Sequence, residues 1–222
     1  MRKALAITLM AVCPLGAVDA VHAQAGDRPI PMLVSAEWLH ANLNAPDLVV
    51  VQVDQRQNGY DEGHIPGARF LLYDRIAPEI DGVPSELPPV EELRKIFEEV
   101  GVVDGKRVVL YGAPIPSARA WMTLDYLGVS DRAAVLDGGI TAWRAANLPV
   151  STEVPAVNST GSLTVNPQPH RIITAADVAA RKDDPRNVLI DVRPLNEYTG
   201  DDGGQNGRYR PGHIPGARHM AW

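Results

Sequence analysis

Gly63-His64-Ile65-Pro66-Gly67-Ala68-Arg69 recurs letter for letter as Gly212-His213-Ile214-Pro215-Gly216-Ala217-Arg218, 149 residues further along a chain of 222. Seven identical residues in order are not a chance match, and an internal repeat at that distance means two copies of one supersecondary plan. The copies extend upstream. Val49 to Val53 leads into Asp54-Gln55-Arg56, and Val188 to Ile190 leads into Asp191-Val192-Arg193, 137 residues on, so the second copy carries 12 more residues between these landmarks. Still further upstream, Ser35-Ala36-Glu37 and Thr174-Ala175-Ala176-Asp177 each set a hydroxyl ahead of an acid, the entry signal of a helix.

Around the first copy, strand and helix patterns alternate. Ser35 to about Asn42 reads as helix, and the unbroken run Leu48 to Val53 suits a strand buried on both faces. Ala68 to Leu72, Val108 to Tyr111 and Ala134 to Leu136 read as further strands. Val90, Leu93, Phe97 and Val100 recur at helical spacing, Ser117 to Leu127 carries Ala120, Leu124 and Leu127 on one face, and Thr141 to Ala146 closes the unit as a last helix. The fold class is therefore α/β, a parallel sheet flanked by helices, with one complete domain over 33–148 and the first part of a second over 171–222. Between them, 149–170 holds Pro149, Pro155, Pro167 and Pro169 among Ser, Thr and Asn, and reads as an extended connector over the surface.

Composition narrows the function classes. Lys plus Arg number 21 against 27 Asp plus Glu, a formal charge of -6, so no bulk basic surface exists to hold nucleic acid or anionic lipid. Cys13 is the one cysteine, which excludes a disulfide framework and a thiolate zinc site; no metal or cofactor is indicated. It lies in a stretch that reads as a secretory signal peptide over 1–25: Arg2 and Lys3, an apolar run from Ala4 to about Ala17, then small residues with cleavage near Ala23 or Ala25. The run is short for ~30 Å of hydrocarbon, so a secreted or periplasmic protein without a membrane span is expected. A lipoprotein anchor at Cys13 is the rival reading, disfavoured because Val12 stands where a small residue is needed.

Together, Asp54-Gln55-Arg56, Asp191-Val192-Arg193, the two heptads and Leu136-Asp137-Gly138-Gly139-Ile140-Thr141-Ala142-Trp143 resemble the rhodanese family in its tandem form, which includes thiosulfate and 3-mercaptopyruvate sulfurtransferases. The resemblance implies two similar α/β domains. It also implies a nucleophilic cysteine in the carboxyl-terminal one, on a loop between a strand and a helix amino terminus, taking sulfane sulfur from a donor such as thiosulfate and passing it to a thiophilic acceptor. Such a loop lowers a thiol's pKa with converging N–H groups and the positive end of the helix dipole. In the first unit the corresponding loop is Gly112-Ala113-Pro114-Ile115-Pro116-Ser117-Ala118-Arg119, which has no cysteine and loses two N–H donors to proline. Ser117 reads as a helix cap in preference to a substitute nucleophile. In the second unit, alignment on the heptad pairs Trp222 with Tyr73 and carries the loop to about 261–268. The chain is therefore expected to be a fragment and inactive as it stands; a non-catalytic binding or scaffolding module is the alternative.

The remaining candidates carry plainer readings. Asp191 and Arg193 either hold a charged substrate or form an internal ion pair, and Arg208 or Arg210, on the insertion, are candidates to meet an anionic donor. Glu197 stands where vertebrate-type members place an arginine, and its carboxylate would repel a dianion, so another arginine must compensate or the donor differs. The Asp/Gly-rich stretch over 200–208 lacks the ligand spacing of a calcium loop. His64 and His213, each between glycine and Ile-Pro-Gly, read as structural turn residues. Arg119 and Arg144 read as surface or interdomain cations, and Trp38, Trp121 and Trp143 as packing residues.

Overall fold

A computed structural model of the chain describes residues 30–156, 161–202 and 211–221. The expected signal peptide with Cys13, and Arg208 and Arg210, lie outside the described residues.

Five parallel strands build the first unit: β1 (Leu33–Val34), β2 (Leu48–Asp54), β3 (Arg69–Leu72), β4 (Arg107–Gly112) and β5 (Ala133–Leu136), in the spatial order β1-β5-β4-β2-β3. Unbroken apolar runs are what a central parallel strand needs, because alternate side chains meet helices on opposite faces. Val49, Val51 and Val53 of β2 pack with Leu93, Ile96 and Phe97 of α3 (Val90–Glu99) and with Ala120 and Leu124 of α4 (Pro114–Tyr126). On the other face Val50 packs with Leu39 of α1 (Ala36–Asn42) and Trp143 of α5 (Gly139–Ala145). α1 starts where the sequence places it, since the Ser35 hydroxyl accepts from the Trp38 N–H at 3.2 Å.

Three features depart from the sequence reading. β1 and the five-residue α2 (Asn58–Glu62) are too short to leave a periodic signal. α4 begins at Pro114, not Ser117: proline's fixed φ suits the first turn, where its missing N–H has no partner to lose. Ser117 consequently is not the cap; it lies inside the first turns and its N–H donates to the Ala113 carbonyl at 3.1 Å. The connector, read as an extended surface segment, is irregular but stitched down. His64 and Ser151 exchange both backbone hydrogen bonds, the Leu163 N–H donates to Glu98 Oε1 at 2.7 Å, Asn166 and Gln168 donate to the carbonyls of Leu127 and Tyr126, and Leu163 is buried with the α3 and α4 core. Apolar residues among the polar ones, Leu163 and Val165, hold it there.

In the second unit Thr174 caps α6 (Ala175–Arg181) in a reciprocal capping box with Asp177. β6 (Ile190–Asp191) pairs in parallel with β7 (Arg218–His219), and α7 (Leu195–Thr199) lies between them in sequence. Coverage separates the two units: Ile65 is fully buried, whereas its counterpart Ile214 is 47 % exposed.

Candidate functional site

The carboxyl ends of β2 and β4 bring Asp54 to the amino terminus of α4. Val53 and Gly112 are register partners, and Gly112 sits at φ +140 with its Cα so close to β2 that a Cβ would lie 2.1 Å from the Val53 carbonyl oxygen. Only glycine permits that approach. It lets Asp54 Oδ1 accept the Ala113 N–H at 3.1 Å, while Oδ2 accepts from Gln52 Nε2 at 3.1 Å. A carboxylate at a helix amino terminus is favourably placed against the dipole. Asp54, Arg56, Asn58, Ala113 and Ile115 line a cavity of about 540 Å³ here. The segment read as a loop, the end of β4 and the first turns of α4, thus borders a pocket with a carboxylate, an exposed guanidinium and a helix terminus, and without a thiol.

The equivalent place in the second unit is a cavity of about 910 Å³ lined by Asp191, Arg193, Glu197, Gly212 and His213. Asp191 and Arg193 are brought together as a bidentate pair, Nη2 to Oδ2 at 2.6 Å and Nε to Oδ1 at 3.0 Å, and Arg193 Nη2 also donates to the Gly212 carbonyl. The Arg193 guanidinium hydrogen-bonded to Asp191 holds that carboxyl at about 2. Glu197 reaches Arg193 Nη1 at 3.9 Å. One cation faces two carboxylates, so Arg193 fixes the strand end and has little charge to offer a substrate anion. Asp54 differs: it accepts from Ala113 of the turn into α4 and leaves Arg56 outside its hydrogen bonds, whereas among the described residues no α4 counterpart stands beside β6.

The heptad histidines are structural, by a device the sequence reading missed. Tyr60 stacks on His64 at 3.8 Å, its hydroxyl donates to the Ala68 carbonyl at 2.8 Å, and His64 Nδ1 lies 2.8 Å from the Tyr60 carbonyl oxygen. Tyr198, His213 and Ala217 repeat this: stacking at 3.8 Å, 2.9 Å from hydroxyl to carbonyl, and 2.8 Å at Nδ1. The signal that would have found it is Asn-x-Tyr, present in both copies as Asn58-Gly59-Tyr60 and Asn196-Glu197-Tyr198. It also divides the 12 extra residues, one before the tyrosine and 11 between tyrosine and histidine.

One other expectation is corrected. Arg119 is not a surface cation: it is half-buried and its guanidinium donates to the carbonyls of Ile76 and Glu86, tying the 73–86 loop to α4, with burial lowering its pKa. Arg144 is exposed, as read, and donates to the Gly63 carbonyl at 3.1 Å, which ties α5 to the heptad. Trp143 is fully buried and donates its indole N–H to the Pro149 carbonyl, and Trp121 donates to Ala133; both are packing residues as read. Among the described residues no cluster of three or more metal-ligating side chains occurs, and no helix is long and apolar enough to cross a membrane.

Comparison with known proteins finds the profile of the rhodanese-like domain over residues 35–146 and 174–222. A probable 3-mercaptopyruvate sulfurtransferase of Pseudomonas aeruginosa is 34% identical over 208 residues, covering 86% of this chain and 70% of that protein. A putative thiosulfate sulfurtransferase of Mycobacterium bovis is 32% identical over 198 residues, with the same coverage. Among solved structures, SseA of Escherichia coli, described as a 3-mercaptopyruvate sulfotransferase with the rhodanese fold, superposes with a TM-score of 0.74 at 24% identity, covering 87% of this chain and 76% of that one.

Proposed function

The chain belongs to the family of rhodanese-like domain proteins, and from that membership we propose that it is an exported sulfurtransferase moving sulfane sulfur from a donor such as thiosulfate to a thiophilic acceptor through a cysteine persulfide. The observation that carries this reading is the duplicated unit itself: heptad, Asp-x-Arg and the Tyr–His–Ala cluster occur twice, and relatives named as sulfurtransferases match across both copies. In the proposed reaction a thiolate attacks the outer sulfur of thiosulfate, the S–S bond breaks, and sulfite departs with the bonding electrons. The acceptor then takes the outer persulfide sulfur and the thiolate is regenerated, with no net redox change.

The repeat spacing supports a place for that thiolate. Carrying the 112–119 loop forward by 149 residues gives 261–268, downstream of Trp222. Beside Asp191 and Glu197, a dianionic donor needs more cation than Arg193 supplies, and we assign that role to Arg208 or Arg210. Export is supported by Arg2-Lys3, the apolar run and Ala23-Gln24-Ala25. A second reading, a non-catalytic rhodanese-like module that binds a partner, is favoured by the lack of any cysteine after Cys13.

One experiment separates them. The coding sequence is read past Trp222 for a cysteine near 261–268, and the extended protein is incubated with thiosulfate and cyanide. Thiocyanate is expected, together with its loss when that cysteine is changed to serine, and none from the 222-residue chain. Thiocyanate from the shorter chain refutes the persulfide assignment, and a reading frame closing at Trp222 establishes the module reading.

A further inference from the structure

The crossing from β4 to α4 has a second side. α4 leaves β4 for the sheet face where Ala120 and Leu124 pack with Val51 and Leu110, whereas α5 leaves the adjacent β5 for the opposite face, where Trp143 packs with Val109 and Leu136. Neighbouring parallel strands whose helices diverge in this way open a crevice at their carboxyl ends, the place where open α/β sheets take ligands. A cavity of about 530 Å³ lies there, walled by Met32, Leu33, Ala118, Trp121 and Ile140, and it shares only Pro114 with the cavity that holds Asp54 and Arg56. Its volume falls within the ~300–1,000 Å³ of small-molecule sites.

Two polar groups in its lining have no use in the fold. Ser117 is 3 % exposed, yet its Oγ makes no hydrogen bond. A buried hydroxyl left unpaired is unfavourable, and it marks this wall as one the fold alone leaves unsatisfied. Asp137, exposed at the rim, is the one charged side chain of the lining, and none of the described ion pairs includes it. Its backbone is held by the Asp137 N–H donating to the Val34 carbonyl, which keeps the residue at the mouth of the hollow. An apolar hollow with one anion at its mouth and no cation in its lining selects against anions and for cations with an apolar body.

We propose that this crevice binds a small organic cation, an ammonium group on an aromatic or branched aliphatic body, with the ammonium against Asp137 and the body against Trp121 and Ile140. The site does not depend on sulfur transfer and is separate from the Asp54 pocket.

The test titrates phenethylammonium chloride into the 222-residue chain, followed by ¹H–¹⁵N NMR and calorimetry, with phenylacetate as the anionic counterpart of equal size. Saturable shifts centred on Gly112, Ser117 and Gly138 to Thr141 are expected for the cation, with none for phenylacetate. Asp137→Asn, a surface change, should weaken binding about tenfold through loss of the charge-assisted contact. Ala118→Trp, at an exposed helix position, should block the cavity and abolish binding while leaving the spectrum of the core unchanged. Absence of saturable shifts, equal binding of phenylacetate, or undiminished affinity in Asp137→Asn overturns the proposal.

Discussion

Replacing Gly112 by alanine tests how closely β2 and β4 must approach to form the Asp54 pocket. The added Cβ would lie 2.1 Å from the Val53 carbonyl oxygen, 3.0 Å from its carbon and 3.1 Å from Asp54 Oδ2. A carbon–oxygen contact normally settles at roughly 3.3 Å or more, so the strand ends must part by about an ångström, and what stands in the way is backbone. Parting them breaks ladder hydrogen bonds worth about 0.5–1.5 kcal/mol each, and a side chain at φ +140 adds about 1–3 kcal/mol of strain. The sum is about 4 kcal/mol, against a total stability of about 5–15 kcal/mol for a domain. Gly105→Ala is the matched control: φ is +76 but nothing lies within 4 Å, so only the left-handed strain of about 1–2 kcal/mol remains. In urea, followed by the fluorescence of buried Trp143, the two midpoints should differ by about 1 M for a slope of roughly 2 kcal/mol/M. Coinciding midpoints would show that the close approach costs nothing and that the register of Val53 with Gly112 does not govern the pocket.

Tyr60→Phe removes a donor from the buried Ala68 carbonyl and should cost about 1–3 kcal/mol in the same urea assay, whereas an unchanged midpoint would deny the cluster a stabilising role. Leu163→Ala should cost about 2–4 kcal/mol if the connector is part of the core, and almost nothing if it merely lies over the surface. The Asp191 carboxyl, held at about 2 by its hydrogen bonds to Arg193, is depressed relative to the unfolded chain, so its contribution is present above the ordinary aspartate value near 4 and is lost as pH falls from there through 2. Titration of the Asp191 carboxyl carbon by NMR should give a midpoint near 2 that rises towards 4 in Arg193→Gln; an unmoved midpoint would break the link between the pair and the shift.

Residues close in sequence were readable, and residues joined across the sheet were not. Ser35 and Thr174 act through N–H groups three residues away, so both caps stood in the linear pattern. The valines of β2 declared a strand covered on both sides because each face needs its own apolar set. Arg119 is different. Its partners Ile76 and Glu86 lie 43 and 33 residues away and are backbone oxygens, which every residue type supplies, so nothing in composition marks them. His64 likewise meets the Glu153 carbonyl across 89 residues. The loop placed at 112–119 by its correspondence to the family pattern begins α4 already at Pro114, because in a first turn proline's fixed φ favours the helix and its missing N–H loses no partner.

By itself the sequence determined that the heptad and Asp-x-Arg occur twice, that the fold is α/β, where the first copy's principal strands run, and that residues 112–119 carry no sulfur, since repeats, hydrophobic period and residue identity are properties of the linear chain. Only the tertiary structure decided that Asp54 serves the α4 terminus while Asp191 serves Arg193, that the connector is core, and that a second crevice opens beside Ser117. Those outcomes depend on which elements stand next to a given side chain, and the same Asp-x-Arg takes different partners when its neighbours differ.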